Sequence, residues 1–69
     1  MNKKYDVVIV GGAGHIGLPL GIAFAGVDKQ TVLYDLNTEA LNTIADGKMP
    51  FLENGAEPVL KSVIHKTLH

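Results

Sequence analysis

The sequence predicts an α/β fold in which two parallel strands and about three helices begin with a βαβ unit. Three segments carry this prediction: a β-branched run at residues 5–10, an apolar stretch at 16–25 and a second strand-like run at 30–34. Glycines separate the first two segments, and a polar turn precedes the third. Because the whole unit takes only about 30 residues, its two strands are expected to be joined by one helix with a right-handed crossover.

The first strand, YDVVIV, has too little alternation of apolar and polar side chains for a strand with one solvated face. It is therefore predicted to be covered on both faces, as strands of parallel sheets are. The helix at residues 16–25 is apolar almost all round, which predicts a buried helix.

Two more helices are predicted after the second strand. Asn37 is a suitable N-cap for a helix running to about Asp46, where Gly47 can adopt the left-handed conformation. Pro58, at a first-turn position, opens the last helix, with His65 and His69 as solvated residues near its end. Helical spacing predicts two buried stripes, one of Leu41, Ile44 and Ala45 and one of Val59, Leu60, Val63, Ile64 and Leu68.

Two parallel strands with apolar residues on both faces cannot cover themselves. We therefore expect residues 1–69 to be the incomplete N-terminal part of a ligand-binding domain, the opening fragment of a doubly wound parallel sheet. Either the remainder of a longer parent chain or self-association would complete its core.

Composition excludes several classes of function. The chain has no cysteine, so it holds neither a thiolate nucleophile nor a cysteine-ligated zinc site, and three scattered histidines make no metal site. Six lysines stand against seven acidic residues, which provides no electrostatic footprint for nucleic acid or an anionic membrane.

A membrane or secretory segment is an alternative for residues 7–27, where His15 is the only ionisable side chain. Six glycines and Pro19 lie within this stretch, however, and such a load of helix breakers favours the strand, turn and helix interpretation. Without a signal peptide, the expected location is the cytoplasm.

Gly12, Gly14 and Gly17 form a G-x-G-x-x-G motif directly after a strand and at the start of a helix. In that context Gly12 permits a tight turn, Gly14 lets the backbone approach a pyrophosphate, and Gly17 lets the helix pack close to the strand. The phosphates would lie at the helix N-terminus, where free N–H groups attract an anion. The motif predicts a Rossmann-type dinucleotide site, against the alternative of a turn without a ligand.

Asp35 ends the second strand, close to the spacing expected for the acid that binds the adenosine ribose. Its carboxylate would repel a 2′-phosphate, and the chain has no arginine to receive one, so NAD is favoured over NADP. The alternative role of Asp35 is to cap the following turn. Tyr34, just before it, is predicted as strand core, with a wall of the adenine pocket as the alternative.

His15 lies at the mouth of the predicted phosphate site, either in contact with the cofactor or as a partly exposed packing residue. With Ile16 it completes the glycine-rich loop. The cofactor-binding residues predicted from the sequence are thus Gly12, Gly14, His15, Ile16, Gly17 and Asp35.

Three stretches together, VIVGGAGHIGLPLG, YDLN and DGKMPFLENGAEPVL, give the chain a resemblance to the UDP-glucose/GDP-mannose dehydrogenase family. The resemblance covers nearly the whole chain. The G-x-x-P-F-x-E-x-G stretch that starts at Gly47 makes it more specific than a resemblance to Rossmann domains in general. It implies NAD-dependent oxidation of a UDP- or GDP-linked sugar, at C6 in most members. It also implies that a catalytic cysteine and lysine lie far downstream, so no catalytic residue is expected in this chain, and a sugar nucleotide would be bound only by the complete enzyme.

Two other functions stay open on the sequence. The chain could belong to another Rossmann dehydrogenase, such as one acting on a hydroxyacid. It could also be a non-catalytic nucleotide-binding module or a truncated product.

Overall fold

The computed structural model describes residues 4–69, and residues 1–3 of the predicted domain lie outside that part. Two strands and three helices follow one another in the predicted order. They are β1 (Val7–Val10), α1 (Gly17–Gly26), β2 (Thr31–Tyr34), α2 (Thr38–Ala45) and α3 (Ala56–Val63). The prediction of two parallel strands and three helices is confirmed.

The two strands pair in parallel, with Val7 opposite Thr31 and Val10 opposite Tyr34. β1 begins at Val7 instead of Tyr5. Just before it, Asp6 is tied to the residue preceding β2, because its side chain accepts a 2.8 Å hydrogen bond from the N–H of Gln30. Because the two strands are parallel, their carboxyl ends lie at the same edge of the sheet, which positions the glycine-rich turn beside Asp35.

The sheet has one covered face and one open face. Ile9 and Leu33 are buried in the core that contains the buried side of α1. Val8, Val10 and Tyr34 alternate with them and are exposed. The prediction that β1 is covered on both faces is therefore wrong within the described chain.

α1 is also less buried than predicted. Leu18, Gly21, Ile22 and Ala25 form its buried side, whereas Leu20 is exposed. With ten residues, α1 is too short to cross a bilayer, and no other helix within residues 4–69 is long and apolar enough to do so.

α2 begins and ends as its sequence predicts. The Asn37 side chain accepts a 3.0 Å hydrogen bond from the N–H of Ala40, and Gly47 has a φ of +79°. The buried stripe differs, because Ala40 and Ile44 are buried while Ala45 is exposed. The helix is thus rotated relative to the predicted face.

α3 ends at Val63, so the prediction that it extends to Leu68 is wrong. His65 adopts a left-handed conformation with a φ of +63°, and the chain turns back toward β2. Residues 67–69 then lie along the edge of β2 away from β1, where the N–H of Thr31 donates to the carbonyl of Thr67 at 2.8 Å. Leu68 is fully buried from this position.

Of the two C-terminal histidines predicted to be solvated near the end of the last helix, His65 is exposed and His69 is not. The ring of His65 is exposed, but its Nε2 lies 2.8 Å from the carbonyl oxygen of Ala45. His69 is half-buried, with Nε2 2.7 Å from Oε1 of Gln30 and its ring against Tyr5. Both side chains therefore help to hold the C-terminal residues against the rest of the domain.

Candidate dinucleotide-binding site

The glycine-rich turn starts where β1 ends and is held against β2. The N–H groups of Gly11 and Gly12 both donate to the carbonyl oxygen of Tyr34, at 2.8 and 3.0 Å. Gly11, which precedes the motif, carries the positive φ of +76° that the tight turn needs. A Cβ on Gly12 would lie 2.8 Å from Cβ of Leu33, so Gly12 instead permits close approach to β2. The role predicted for Gly12 thus belongs to Gly11.

The predicted role of Gly17 agrees with the structure. A Cβ at this position would overlap the carbonyl oxygen of Gly11 and lie 3.1 Å from Cα of Gly12. The start of α1 can therefore pack directly on the turn only because this residue has no side chain. At Gly14 a Cβ would lie 3.3 Å from the same carbonyl, a tighter contact than side chains usually make.

The N-terminus of α1 has unpaired hydrogen-bond donors. Within residues 4–69, the N–H groups of His15, Ile16 and Gly17 have no acceptor. No side chain caps the helix, and its first turn holds no acidic residue. Free N–H groups together with the positive end of the helix dipole make this region suitable for binding an anion.

Asp35 joins the glycine-rich turn to the start of α2. Its Oδ2 accepts a 3.0 Å hydrogen bond from the N–H of Ala13, and its Oδ1 accepts one of 2.9 Å from the N–H of Asn37. Hydrogen bonds from the N–H groups of Asn37 and Ala13 hold the pKa of this carboxyl below its ordinary value of 3.8, against a smaller opposing effect of burial. The group is thus a stable carboxylate near neutral pH.

A cleft of about 290 Å³ opens beside Asp35. Its walls are the ends of both strands and the segment that follows β2, formed by Val10, Gly11, Tyr34, Asp35 and Leu36. Tyr34 is 55% exposed, so the prediction of a strand-core residue is wrong and its side chain borders this cleft instead. An apolar cleft next to a carboxylate suits a nucleoside.

The structure brings the predicted residues to one edge of the sheet. Gly12 is buried, Gly14 and Gly17 are half-buried, and His15 and Ile16 are exposed. The His15 ring stacks on Phe51, with ring centroids 4.1 Å apart and an interplanar angle of 21°. No group of three or more candidate metal-ligating side chains comes together in the described part of the chain.

Besides Gly11, sequence reasoning missed two residues of this site. The motif treats Ala13 as a variable position, yet its N–H makes the hydrogen bond to Asp35. Phe51 lies within the family pattern that starts at Gly47, and no local signal in the sequence pairs it with His15. Ala13 could have been found by asking which N–H groups in the turn face the acid at the end of β2.

Comparisons with known proteins agree with this geometry. Residues 6–69 match the sequence model described as the UDP-glucose/GDP-mannose dehydrogenase family, NAD binding domain. A UDP-N-acetyl-D-mannosamine dehydrogenase of Escherichia coli K12 is 35% identical over 61 residues, and its counterpart in Yersinia pestis is 33% identical. Each alignment covers 88% of this chain and 14% of the relative.

A solved structure shows the same fold. The UDP-N-acetyl-mannosamine dehydrogenase Cap5O from S. aureus superposes with a TM-score of 0.83 at 28% identity, over 93% of this chain and 16% of that one. The chain therefore spans about one-seventh of the length of the relatives it matches. Since the family model matches nearly every residue, the chain belongs to the UDP-glucose/GDP-mannose dehydrogenase family, within its NAD binding domain.

Proposed function

We propose that this chain binds NAD, with the pyrophosphate at the glycine-rich turn and the adenosine ribose at Asp35. One observation supports the assignment of the pyrophosphate and the ribose to these particular residues. The hydrogen bond from the N–H of Ala13 to Asp35 fixes the carboxylate beside the glycine-rich turn. The unpaired N–H groups at the start of α1, which follows this turn, would bind the pyrophosphate. The groups proposed to bind the phosphates and the ribose thus lie at the same edge of the sheet, as a dinucleotide site of this fold requires.

The pyrophosphate would be bound by backbone groups alone. The N–H groups of His15, Ile16 and Gly17 are available, and Gly14 leaves space for the phosphates to approach. No arginine exists in the chain, so no guanidinium takes part. The helix N-terminus supplies the positive potential instead.

The ribose would be bound by the acceptor positions of Asp35 that the protein leaves free. Each carboxylate oxygen has two lone pairs, and each uses one for a backbone N–H. The remaining two can accept hydrogen bonds from the 2′- and 3′-hydroxyls. A 2′-phosphate would meet this negative charge directly, which supports NAD over NADP as the cofactor.

The adenine would lie in the apolar cleft next to Asp35. Tyr34 and Leu36 flank the acid on either side in sequence and line this cleft. Both side chains are exposed, so their apolar surface is free to cover a base.

We further propose that the chain supplies the cofactor-binding part of a longer NAD-dependent dehydrogenase acting on a UDP- or GDP-linked sugar. The relatives named above are dehydrogenases of a UDP-linked sugar, which favours a UDP-sugar substrate. Bound NAD would accept hydride from the sugar alcohol. Because the chain has no cysteine, it offers no thiolate for covalent catalysis, and its own contribution is cofactor binding.

The open face of the sheet supports the incomplete-domain prediction. Val8, Val10 and Tyr34 expose apolar surface that a complete doubly wound sheet would cover with further helices. The remainder of a parent chain, or a second copy of this one, would cover this face. We place the protein in the cytoplasm, where the NAD pool that such an oxidation uses is found.

The test is a calorimetric titration of NAD into the purified chain while light scattering records its mass. Saturable binding with one site per chain supports the proposal. A folded chain that does not bind NAD contradicts it, and a non-catalytic module without this ligand becomes the better description. A mass above 7.3 kDa would identify self-association as the way the open face is covered.

A further inference from the structure

The loop between α2 and α3 returns to the glycine-rich turn through a single aromatic contact. Phe51 stacks on the His15 ring with ring centroids 4.1 Å apart and an interplanar angle of 21°. Such a stacked aromatic pair adds a contact energy to the apolar surface that the two rings bury. Two segments far apart in sequence are thereby joined at the start of α1.

Phe51 is held by its packing against the core and by a hydrogen bond that joins its loop to α3. It is half-buried and packs against the hydrophobic core, as does Met49. Nearby, the N–H of Met49 donates a 2.9 Å hydrogen bond to Oε1 of Glu57, which fixes the loop to the first turn of α3. In contrast, Leu52 is 101% exposed. The loop therefore presents a fixed phenyl ring to His15, while its next residue contacts solvent.

Within residues 4–69, no other side-chain contact restrains His15. It is exposed, it lies in the uncapped start of α1, and its own N–H is one of the three unpaired donors. Its side chain stacks on Phe51. The stack therefore restricts the part of the backbone that would bind the pyrophosphate.

We propose that Phe51 is a positioning residue for the dinucleotide, which acts by stacking on His15 and thereby fixing the N–H groups at the start of α1 for the pyrophosphate. This inference rests on the proposed function. In this proposal Phe51 acts through His15 and does not itself touch the phosphates. Its effect comes from preorganisation, which lowers the cost of ordering the turn when the ligand binds.

The test is a double-mutant cycle on NAD affinity with His15→Leu, Phe51→Leu and the double variant, measured by calorimetry. Each single variant is expected to weaken binding about 3- to 10-fold, the range that one aromatic pair provides. The double variant is expected to bind no more weakly than the worse single variant, because both changes remove the same contact. Phe51→Tyr, which retains the ring, is expected to recover most of the affinity.

Leu52→Ala is the matched control, because it truncates the neighbouring residue of the same loop without removing any contact. It is expected to bind NAD as the unmodified chain does. Proton NMR of the His15 ring adds a direct readout, since the ring current of Phe51 shifts its resonances. That shift is expected to vanish in Phe51→Leu and to persist in Phe51→Tyr.

Several outcomes would overturn the inference. Additive losses in the cycle would show that the two side chains act independently. Unchanged affinity in either single variant would show that the stack does not position the turn. If Phe51→Leu does not fold, His15→Leu tests the same contact, because His15 is exposed and its replacement is expected to leave the fold intact.

A purely structural role for Phe51 would lower the thermal stability of Phe51→Leu and leave the NAD affinity of its folded form unchanged. If the unmodified chain itself fails to bind NAD, the proposed function fails and this inference falls with it. If the unmodified chain binds and the variants match it, only the inference fails.

Discussion

The N–H of Ala13 donates a 3.0 Å hydrogen bond to Oδ2 of Asp35, which joins the glycine-rich turn to the end of β2. The residues are 22 positions apart, and the bond forms because parallel pairing brings the carboxyl ends of both strands to one edge. The same carboxylate caps the N–H of Asn37. The turn-capping role and the ribose-binding role considered for Asp35 are therefore compatible, because capping uses only half of its acceptor capacity.

Replacing Asp35 with asparagine is expected to weaken NAD binding about 10- to 100-fold, the loss expected when hydrogen bonds to a charged group become neutral ones. Asparagine keeps one oxygen acceptor, so the turn can still be held. Calorimetry measures the affinity, and circular dichroism checks the fold. Asp46→Asn removes the same charge at the other end of α2 and is expected to leave the affinity unchanged. Equal affinities for all three chains would exclude Asp35 from the ribose site.

The cofactor preference should respond to the sign of the charge at the same position. Asp35→Arg removes the carboxylate that repels a 2′-phosphate and introduces a guanidinium that can bind it. We expect the ratio of NADP to NAD affinity to rise relative to the unmodified chain. Parallel titrations with both dinucleotides measure this ratio. Asp46→Arg serves as the control, and a similar rise there would attribute the effect to net charge.

Acid titration provides a test of the hydrogen bonds at Asp35. The N–H groups of Asn37 and Ala13 stabilise the charged carboxyl, so its pKa in the folded chain lies below 3.8. A lowered pKa means that its contribution to stability is present above pH 3.8 and is lost as the pH falls through the lowered value. Carbon-13 NMR of the Asp35 carboxyl measures this midpoint. A midpoint at or above 3.8 would contradict the two hydrogen bonds.

Gly17→Ala is expected to destabilise the fold by about 1–3 kcal/mol, as overpacking of a closed contact does. A Cβ there would overlap the Gly11 carbonyl, and backbone cannot rotate away as a side chain can. Gly26→Ala, at the other end of α1, meets nothing within 4 Å and is the matched control. The control should be neutral or slightly stabilising, because alanine restricts the unfolded chain. Urea denaturation of both variants measures the difference, and equal stabilities would contradict the close packing.

Local patterns predicted most of the fold. The β-branched runs, the Asn37 cap and the position of Gly47 each act within a few residues, and all three have their expected roles. The site residues Gly12, Gly17 and Asp35 followed from motif spacing because that spacing reflects one strand, turn and helix. Their assignment to the ligand stays a prediction until binding is measured.

Features set by distant contacts were not predictable in this way. Leu68 continues the helical spacing of Leu60 and Ile64, so the pattern favoured a longer helix. Residues 67–69 instead form hydrogen bonds with Thr31 and Leu33 along the edge of β2. These hydrogen bonds replace those that a longer α3 would have made. Likewise, the stack of His15 on Phe51 depends on where the loop after α2 returns. Single-sequence periodicity contains no information on either contact.

The placement of residues 67–69 along the edge of β2 can be tested by replacing Leu68. This side chain is 0% exposed and belongs to the core, although it lies outside every helix. Leu68→Ala is expected to cost about 2–5 kcal/mol, the range for truncating a buried leucine. Leu52→Ala makes the same chemical change at a side chain that is 101% exposed and should cost almost nothing.

For a domain of this size, a loss of about 2–5 kcal/mol is a large share of the whole stability. Leu68→Ala should therefore unfold at a much lower urea concentration than the unmodified chain, with the helical circular dichroism signal lost in the same transition. If residues 67–69 were instead a frayed end, both leucine variants would unfold at the same concentration. That result would remove the bonded edge of β2 and, with it, the reason that α3 ends at Val63.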